Sequence, residues 1–212
     1  IVPSENLESV LESFTLDKPT TFRVNTLKIT ADELFRELTQ LGFEIERVPW
    51  LSTAFILRGF NPQRGLNPKE TLTETRFYKE GFLYLQSLSS LIPPLVLNPK
   101  PGEKVLDLCA APGSKTTQMA ALMNNTGEIY ANDKSHLRNY KLKANLERQG
   151  VQIARVLEFP GEIFWKTFPE HFDKVLVDVP CSLEGIINCS DAKTYADWST
   201  KKIQRLSDQQ KW

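Results

Sequence analysis

The stretch that decides the fold is Val105-Leu106-Asp107-Leu108-Cys109-Ala110-Ala111-Pro112-Gly113-Ser114-Lys115-Thr116. A short apolar run passes into a turn of small residues, and apolar positions at helical spacing follow over 114–123. This is a strand, a tight turn and a helix. Small residues let a backbone approach a ligand closely, and the free N–H groups of a helix start face whatever binds there. A phosphate-binding P-loop is excluded, because its pattern needs Gly, four residues, then Gly-Lys-Ser/Thr. Here Leu108 stands where the first glycine is required, and Ser114 separates Gly113 from Lys115. The Gly-x-Gly-x-x-Gly dinucleotide pattern is also missing. Taken alone, the stretch is also compatible, though less so, with a plain strand–turn–helix corner.

Its surroundings narrow the choice. Nearly continuous apolar runs recur at 104–109, 128–131, 153–157 and 174–179, separated by helical patterns at 114–123, 135–149 and, more loosely, 162–168. Alternating buried-type strands and helices predict a parallel sheet covered on both faces. In such sheets ligands bind outside the carboxyl ends of the strands. Asp133 closes the second strand, where a carboxylate can accept hydrogen bonds from both ribose hydroxyls. The fourth strand ends Val177-Asp178-Val179-Pro180-Cys181-Ser182. Chemistry-bearing residues at three strand ends of one sheet predict a site.

Residues 1–88 read as a small α+β unit: helical spacing over 7–14, β-rich alternation over 21–29, and strands at 43–48 and 55–57. Thr30 and Glu33 form a capping-box pattern that opens a helix running to about Leu41, with Gly42 as its stop. Residues 61–75, with Pro62, Gly65 and Pro68, read as a loop, and 86–97 as a helix leading to the second unit.

Composition sets the outer limits. Hydrophobic residues make up 41% and charged residues 25% of the 212 residues, as in a globular protein. No apolar run is long enough to span a bilayer, and the start has no signal-peptide pattern. Three cysteines without a C-x-x-C pair exclude a disulfide framework and a four-cysteine zinc site. No metal is expected, and a reducing cytoplasmic setting fits best. With 26 basic and 26 acidic residues, any nucleic-acid binding must use a local patch. The chain begins without Met and stops at Trp212 inside a helical pattern (Ile203, Leu206, Gln210), so a fragment is expected.

The motifs Asp107-Leu-Cys-Ala-Ala-Pro-Gly-Ser-Lys-Thr116, Asp133 and Asp178-Val-Pro-Cys-Ser182, with Phe22-Arg-Val-Asn-Thr-Leu27 and Tyr84-Leu-Gln-Ser-Leu-Ser-Ser90, resemble the Sun/Fmu-type, RsmB/RsmF-like RNA cytosine-5 methyltransferases. The resemblance implies a Rossmann-like class I methyltransferase core over 89–212. It also implies a small N-terminal α+β RNA-contacting domain and linker over 1–88, and S-adenosylmethionine as cofactor. It implies that Cys109, Ala110, Ala111, Pro112, Gly113, Ser114 and Lys115 wrap the methionine end of the cofactor and that Asp133 holds the ribose. Arg138 and Asp178 count as cofactor-binding too. Asp178, assisted by Lys115, would hydrogen-bond the target cytosine, and Cys181 completes the expected catalytic set. An RNA partner, rRNA or tRNA, and a monomer follow, in the cytoplasm or, in a eukaryote, in the nucleolus or mitochondrion.

Cys181 is also compatible with a small apolar residue filling a strand end. In the family the covalent nucleophile lies in a later Thr-Cys motif, while the cysteine at the position of Cys181 helps to release the product. No Thr-Cys pair occurs here: the cysteines follow Leu108, Pro180 and Asn188. A core truncated after its fourth strand accounts for that, leaving a central strand as an exposed edge. Two further departures stand out. Glu158-Phe159-Pro160-Gly161 replaces the family's Asp near the adenine, and Leu183-Glu184-Gly185 and Ile187-Asn188-Cys189 replace a stretch where basic residues are common.

Lys134, Arg138, Lys141 and Arg148 cluster on one side of the helix after Asp133, beside an apolar seam of Leu137, Tyr140 and Ala144. They read as an RNA patch or, more simply, as a solvated face. Arg23, Lys28, Arg58 and Arg64 are rival RNA contacts. His136 and His171 read as surface residues. Against the methyltransferase stands a non-catalytic RNA- or cofactor-binding remnant. Exocyclic-amine methylation is disfavoured because Val179-Pro180-Cys181 lacks the aromatic that stacks on the base, and DNA cytosine methylation because the first motif is not glycine-rich.

Overall fold

Two four-stranded sheets organise the chain, one antiparallel and one parallel. The computed structural model describes residues 3–61 and 67–211. They divide into two compact units, Pro19–Asp178 and Ile1–Lys18 with Val179–Trp212.

In the Pro19–Asp178 unit, β1 (Thr20–Val24), β2 (Phe43–Val48), β3 (Leu51–Phe60) and β4 (Leu83–Leu85) form an antiparallel sheet in the order β2-β3-β1-β4. One face buries Phe22, Val24, Phe55 and Leu83 under Leu34 and Leu38 of α2 (Ala31–Gln40). Burying an aromatic or leucine side chain stabilises by roughly 1.5–3 kcal/mol, so this small sheet has a core of its own. The capping box of α2 forms as expected: Glu33 N donates to Thr30 Oγ1 at 3.2 Å, and Thr30 N to Glu33 Oε2 at 3.4 Å.

Residues 61–75 are not simply a loop. Of these, 62–66 lie outside the described residues, Arg64 with them, and α3 (Pro68–Glu74) begins directly after. Asn67 caps it, accepting from Lys69 N at 3.0 Å, and Pro68 takes the first helical position, where its missing N–H costs nothing. The Asn-Pro pair is thus a helix start rather than a turn. A short α4 (Arg76–Lys79) follows.

The parallel sheet has the order β7-β6-β5-β8, from β5 (Lys104–Asp107), β6 (Glu128–Asn132), β7 (Ala154–Leu157) and β8 (Lys174–Leu176). Alternation places Val105 and Ile129 on one face with Met119 and Ala120 of α6 (Ser114–Leu122) and its C-cap Met123. On the same face Ala131 meets Leu142 and Leu146 of α7 (His136–Gln149). Leu106 and Tyr130 point to the other face, where Phe164 of α8 (Phe164–Thr167), Phe168 and Phe172 cover them. His171 belongs to this cluster, half-buried with Nε2 3.1 Å from the Tyr130 hydroxyl, and is not a plain surface residue.

α5 (Leu88–Leu97) contains Pro93 and Pro94. The carbonyl of Ser90, which Pro94 cannot serve, accepts from Gln86 Nε2 at 3.0 Å instead.

The polar alternate residues of β1 do not face water. Thr21 and Arg23 are buried, as is Asn25 just after the strand. Arg23 donates to Thr117 Oγ1 of α6 at 3.0 Å, and Asn25 Nδ2 to the carbonyls of Gly81 and Gln149 at 2.8 Å each. Lys28 Nζ donates to the carbonyls of Glu80 and Arg148, both at 2.7 Å. Arg23 and Lys28 therefore join the halves of the unit; burial takes Arg23 away from any RNA, while Lys28 stays exposed. Arg58 is paired with Glu46 at 2.7 Å.

In the other unit, α1 (Leu7–Ser13) and α9 (Thr200–Gln210) accompany an irregular 179–199 segment. Cys189 N donates to Phe14 O at 2.7 Å, Trp198 Nε1 to Glu184 Oε1 at 3.0 Å, and Gln210 Nε2 to Pro180 O at 2.7 Å. Among the described residues no helix is long and apolar enough to cross a membrane.

Candidate functional site

The site lies at the carboxyl ends of β5, β6 and β8. β5 stops at Asp107, earlier than the apolar run suggests, and residues 108–113 form the loop that leads into α6. The Ala111–Pro112 peptide is cis. Ala110 N donates to Asn132 O and Gly113 N to Ala110 O, both at 2.7 Å. Arg138 Nη2 donates to Ala111 O, and Asn145 Nδ2 to Pro112 O at 2.8 Å. Two side chains of α7 thus hold two successive loop carbonyls. Gly113 has φ 104°, and a Cβ there would meet Leu142 Cδ1 at 3.0 Å, so glycine answers both the backbone and the space.

Gly113 is the N-cap of α6 and supplies no capping side chain. Among the described residues the first N–H groups of that helix have no side-chain acceptor, a setting that suits an anionic ligand group.

Asp133 follows β6 and is 3% exposed. Its Oδ1 accepts from Ser135 N at 3.0 Å. Its Oδ2 lies 3.1 Å from Arg138 Nη1, an ion-pair distance, yet accepts no aligned hydrogen bond among the described residues. A buried carboxylate oxygen with spare acceptor capacity is costly unless something donates to it. Both features fit S-adenosylmethionine, the cofactor the resemblance implies: a ribose hydroxyl can serve Asp133, and an amino-acid carboxylate can meet the start of α6.

Lys115 Nζ lies 2.5 Å from Asp178 Oδ2, with Lys115 largely enclosed and Asp178 half-exposed. Asp178 follows β8, so this pair crosses from one strand end to the next. Cys109 is half-buried, and burial, reinforced by the nearby Asp133 and Asp107 carboxylates, pushes its thiol up. A thiol held protonated is a poor nucleophile. Ala110 and Ala111 are buried, Pro112 and Arg138 exposed, and Ser114 partly buried. Cys181 is exposed and belongs to the other compact unit.

Four residues near these strand ends were not among the expected site residues. Asp107 is buried, accepts from Thr116 Oγ1 at 2.7 Å, and is pushed up to about 6, chiefly by burial. Asn132 Nδ2 donates to the carbonyls of Leu108 at 3.1 Å and Phe159 at 3.0 Å, while Phe159 N donates to Asn132 Oδ1 at 2.9 Å. It ties the ends of β5 and β7 together. Asn145 lies two helical turns after Arg138, a spacing that could have revealed it. Glu158 is exposed and paired with His136 at 2.9 Å; that hydrogen bond, the largest cause, holds its carboxyl below the usual range.

The seam of Leu137, Tyr140 and Ala144 faces solvent, while Asn139, Leu142, Leu146 and Gln149 are buried. Within the expected patch, Arg148 lies over the Tyr78 ring, 4.5 Å from its centroid, and Arg138 is engaged with Asp133 and Ala111. Lys134 and Lys141 are exposed. Among the described residues no group of His, Cys, Asp and Glu is arranged to hold a metal ion.

Residues 94–212 match the model of the family 16S rRNA methyltransferase RsmB/F, and residues 1–88 that of the N-terminal domain of 16S rRNA methyltransferase RsmF. Ribosomal RNA small subunit methyltransferase F of Vibrio atlanticus is 40% identical over 191 residues, covering 89% of this chain and 39% of that protein. The crystal structure of PH0851 superposes with a TM-score of 0.85 at 32% identity, over 98% of this chain and 45% of that one. That of a methyltransferase homolog protein from Pyrococcus horikoshii gives a TM-score of 0.77 at 33% identity, over 97% of this chain and 64% of that one. This chain therefore spans well under half the length of the curated relative, and by motif, fold and match it belongs to the RsmB/F family of 16S rRNA methyltransferases.

Proposed function

We propose that this chain carries the cofactor site and part of the base site of an RNA cytosine-5 methyltransferase, acting on ribosomal RNA in the cytoplasm. Residues 1–88 form the N-terminal RNA-contacting half and linker, and 89–212 the front of the methyltransferase core. The observation that carries this reading is the buried Asp133 carboxylate beside the 109–115 loop, one oxygen of which accepts no aligned hydrogen bond among the described residues. The family's cofactor is S-adenosylmethionine, which supplies an electrophilic methyl group on a sulfonium centre.

Asp133 accepts from the ribose, with Arg138 holding the carboxylate in place. Residues 109–115 enclose the methionine end, whose carboxylate meets the start of α6. Asp178 accepts from the cytosine, and Lys115 beside it fixes the carboxylate's direction and offsets its charge. Cytosine C5 is a poor nucleophile until a thiolate adds at C6, and a base must then remove the C5 proton before the thiolate leaves. The adding thiolate belongs to a Thr-Cys motif that these 212 residues do not contain. Cys181 assists product release. The base must be unstacked to reach the pocket, which favours loops and single strands of RNA.

Calorimetry with S-adenosylmethionine tests the cofactor half. Asp133→Ala should weaken binding by about tenfold or more, since hydrogen bonds to a charged group are worth about 1.5–3 kcal/mol. Unchanged affinity would refute the assignment of Asp133 to the ribose.

A further inference from the structure

The antiparallel half of the Pro19–Asp178 unit reaches the 109–115 loop through one side chain. Asn145 Nδ2 donates to the carbonyl of Pro112 at 2.8 Å and to the Tyr84 hydroxyl at 3.2 Å. Both amide hydrogens are thereby used, and the amide can face only one way. Its Oδ1 accepts from Arg148 Nη2 at 2.8 Å, and the Arg148 guanidinium lies over the Tyr78 ring. Tyr84 belongs to β4 and is buried, and Tyr78 belongs to α4, so both come from the small half. Next to them Arg23 holds Thr117, and Gln86 Nε2 donates to Gln118 Oε1 at 3.2 Å, fixing the helix into which the loop runs.

The other restraints on the loop act on its remaining residues: Ala110 N donates to Asn132 O, Arg138 holds Ala111 O, and Gly113 N donates to Ala110 O. Pro112 has no N–H to donate. Pro112 is exposed, and among the described residues its carbonyl accepts from the Asn145 side chain, so losing that partner leaves the Pro112–Gly113 peptide held only through Gly113 N.

We propose that Tyr84 and Asn145 are positioning residues through which the small α+β half sets the shape of the 109–115 loop, and with it affinity for the methionine end of S-adenosylmethionine. The ligand part of this inference rests on the cofactor reading above. Neither residue touches the ligand; the carbonyl of Pro112 transmits their effect. The small half then has a task within the cofactor site itself, apart from any contact with RNA.

The test compares the full chain with Tyr84→Phe, which removes only a hydroxyl, and Asn145→Asp, which keeps the shape but removes the donor. S-adenosylmethionine and 5′-methylthioadenosine, which lacks the amino-acid end, are titrated by calorimetry. Hydrogen exchange over residues 110–115 is measured on the free proteins. One hydrogen bond of ordinary strength corresponds to a loss of about three- to tenfold in S-adenosylmethionine affinity, larger for Asn145→Asp. Affinity for 5′-methylthioadenosine should stay constant, and exchange over 110–115 should quicken while exchange in β5 and β6 does not. Equal weakening of both ligands, or exchange that is unchanged over 110–115, overturns the proposal. If the parent chain binds neither ligand the cofactor reading fails instead, and the exchange result alone then decides whether the two residues fix the loop.

Discussion

Replacing Asp107 by Asn should change how stability depends on pH. Asp107 is buried at the end of β5, and its carboxyl is pushed up from 3.8 to about 6, with burial the largest cause and the Thr116 hydrogen bond and Lys115 opposing it. Between these values the folded chain keeps a proton that the unfolded chain has released. Stability from this group is therefore fully present below about pH 4, falls as pH rises through about 6, and levels off above. A rise of about two units corresponds to about 3 kcal/mol across that window. Asn cannot ionise, and its Oδ1 can accept from the Thr116 hydroxyl in the same geometry. Its amide N–H groups would sit where Oδ1 of the aspartate has no hydrogen-bond partner among the described residues, which adds a cost that does not vary with pH. The slope of the difference, not its offset, is diagnostic. Urea unfolding of both proteins from about pH 4 to pH 8 should show the variant gaining on the parent by about 3 kcal/mol, most of it by pH 7. A parent–variant difference that stays flat across this range would refute the reasoning.

Two more outcomes follow from single contacts. Gly81 has φ +73°, and a Cβ there would lie 2.1 Å from the carbonyl oxygen of Arg148. Gly81→Ala should cost about 1–2 kcal/mol for the left-handed backbone, with the displacement of α7 in addition, read as a lower urea midpoint. Cys109 is half-buried with a raised thiol, while Cys181 and Cys189 are exposed. Iodoacetamide followed by peptide mass mapping at about pH 8 should label Cys109 last; labelling it first would contradict its environment.

The parallel sheet was legible because buried strands leave continuous apolar runs and their helices do not. The quoted loop was legible because few backbones need Ala-Ala-Pro-Gly in succession. The strand ends were less so. The run at 174–179 extends past the last paired residue, Leu176, since Val177 continues the apolar pattern without a ladder. β1 misled in another way. Its alternation of Phe22 and Val24 with Thr21 and Arg23 suggests one dry and one wet face, but the polar face is buried against α6. Alternation records which side chains are apolar, not which are covered. The same ambiguity makes Arg23 look like a free cation. Pro62, Gly65 and Pro68 make 61–75 look like a loop, and only the helix behind Asn67-Pro68 distinguishes a cap from a break. Asp133 could be identified from its place after a strand, and Asn145 from its spacing behind Arg138, whereas Asn132 matters through carbonyls that no side-chain pattern encodes.

α7 covers the parallel sheet with Leu142 and Leu146 and, on the same helix, holds the carbonyls of Ala111 and Pro112 through Arg138 and Asn145. A substitution that shifts this helix on the sheet must therefore move the loop as well. In a drifting lineage, changes in the core beneath α7 and changes in ligand affinity would be inherited together. The ten residues from Asp107 to Thr116 would then be poor material for transplanting: moved to another sheet without this helix, they would keep their sequence and lose their shape.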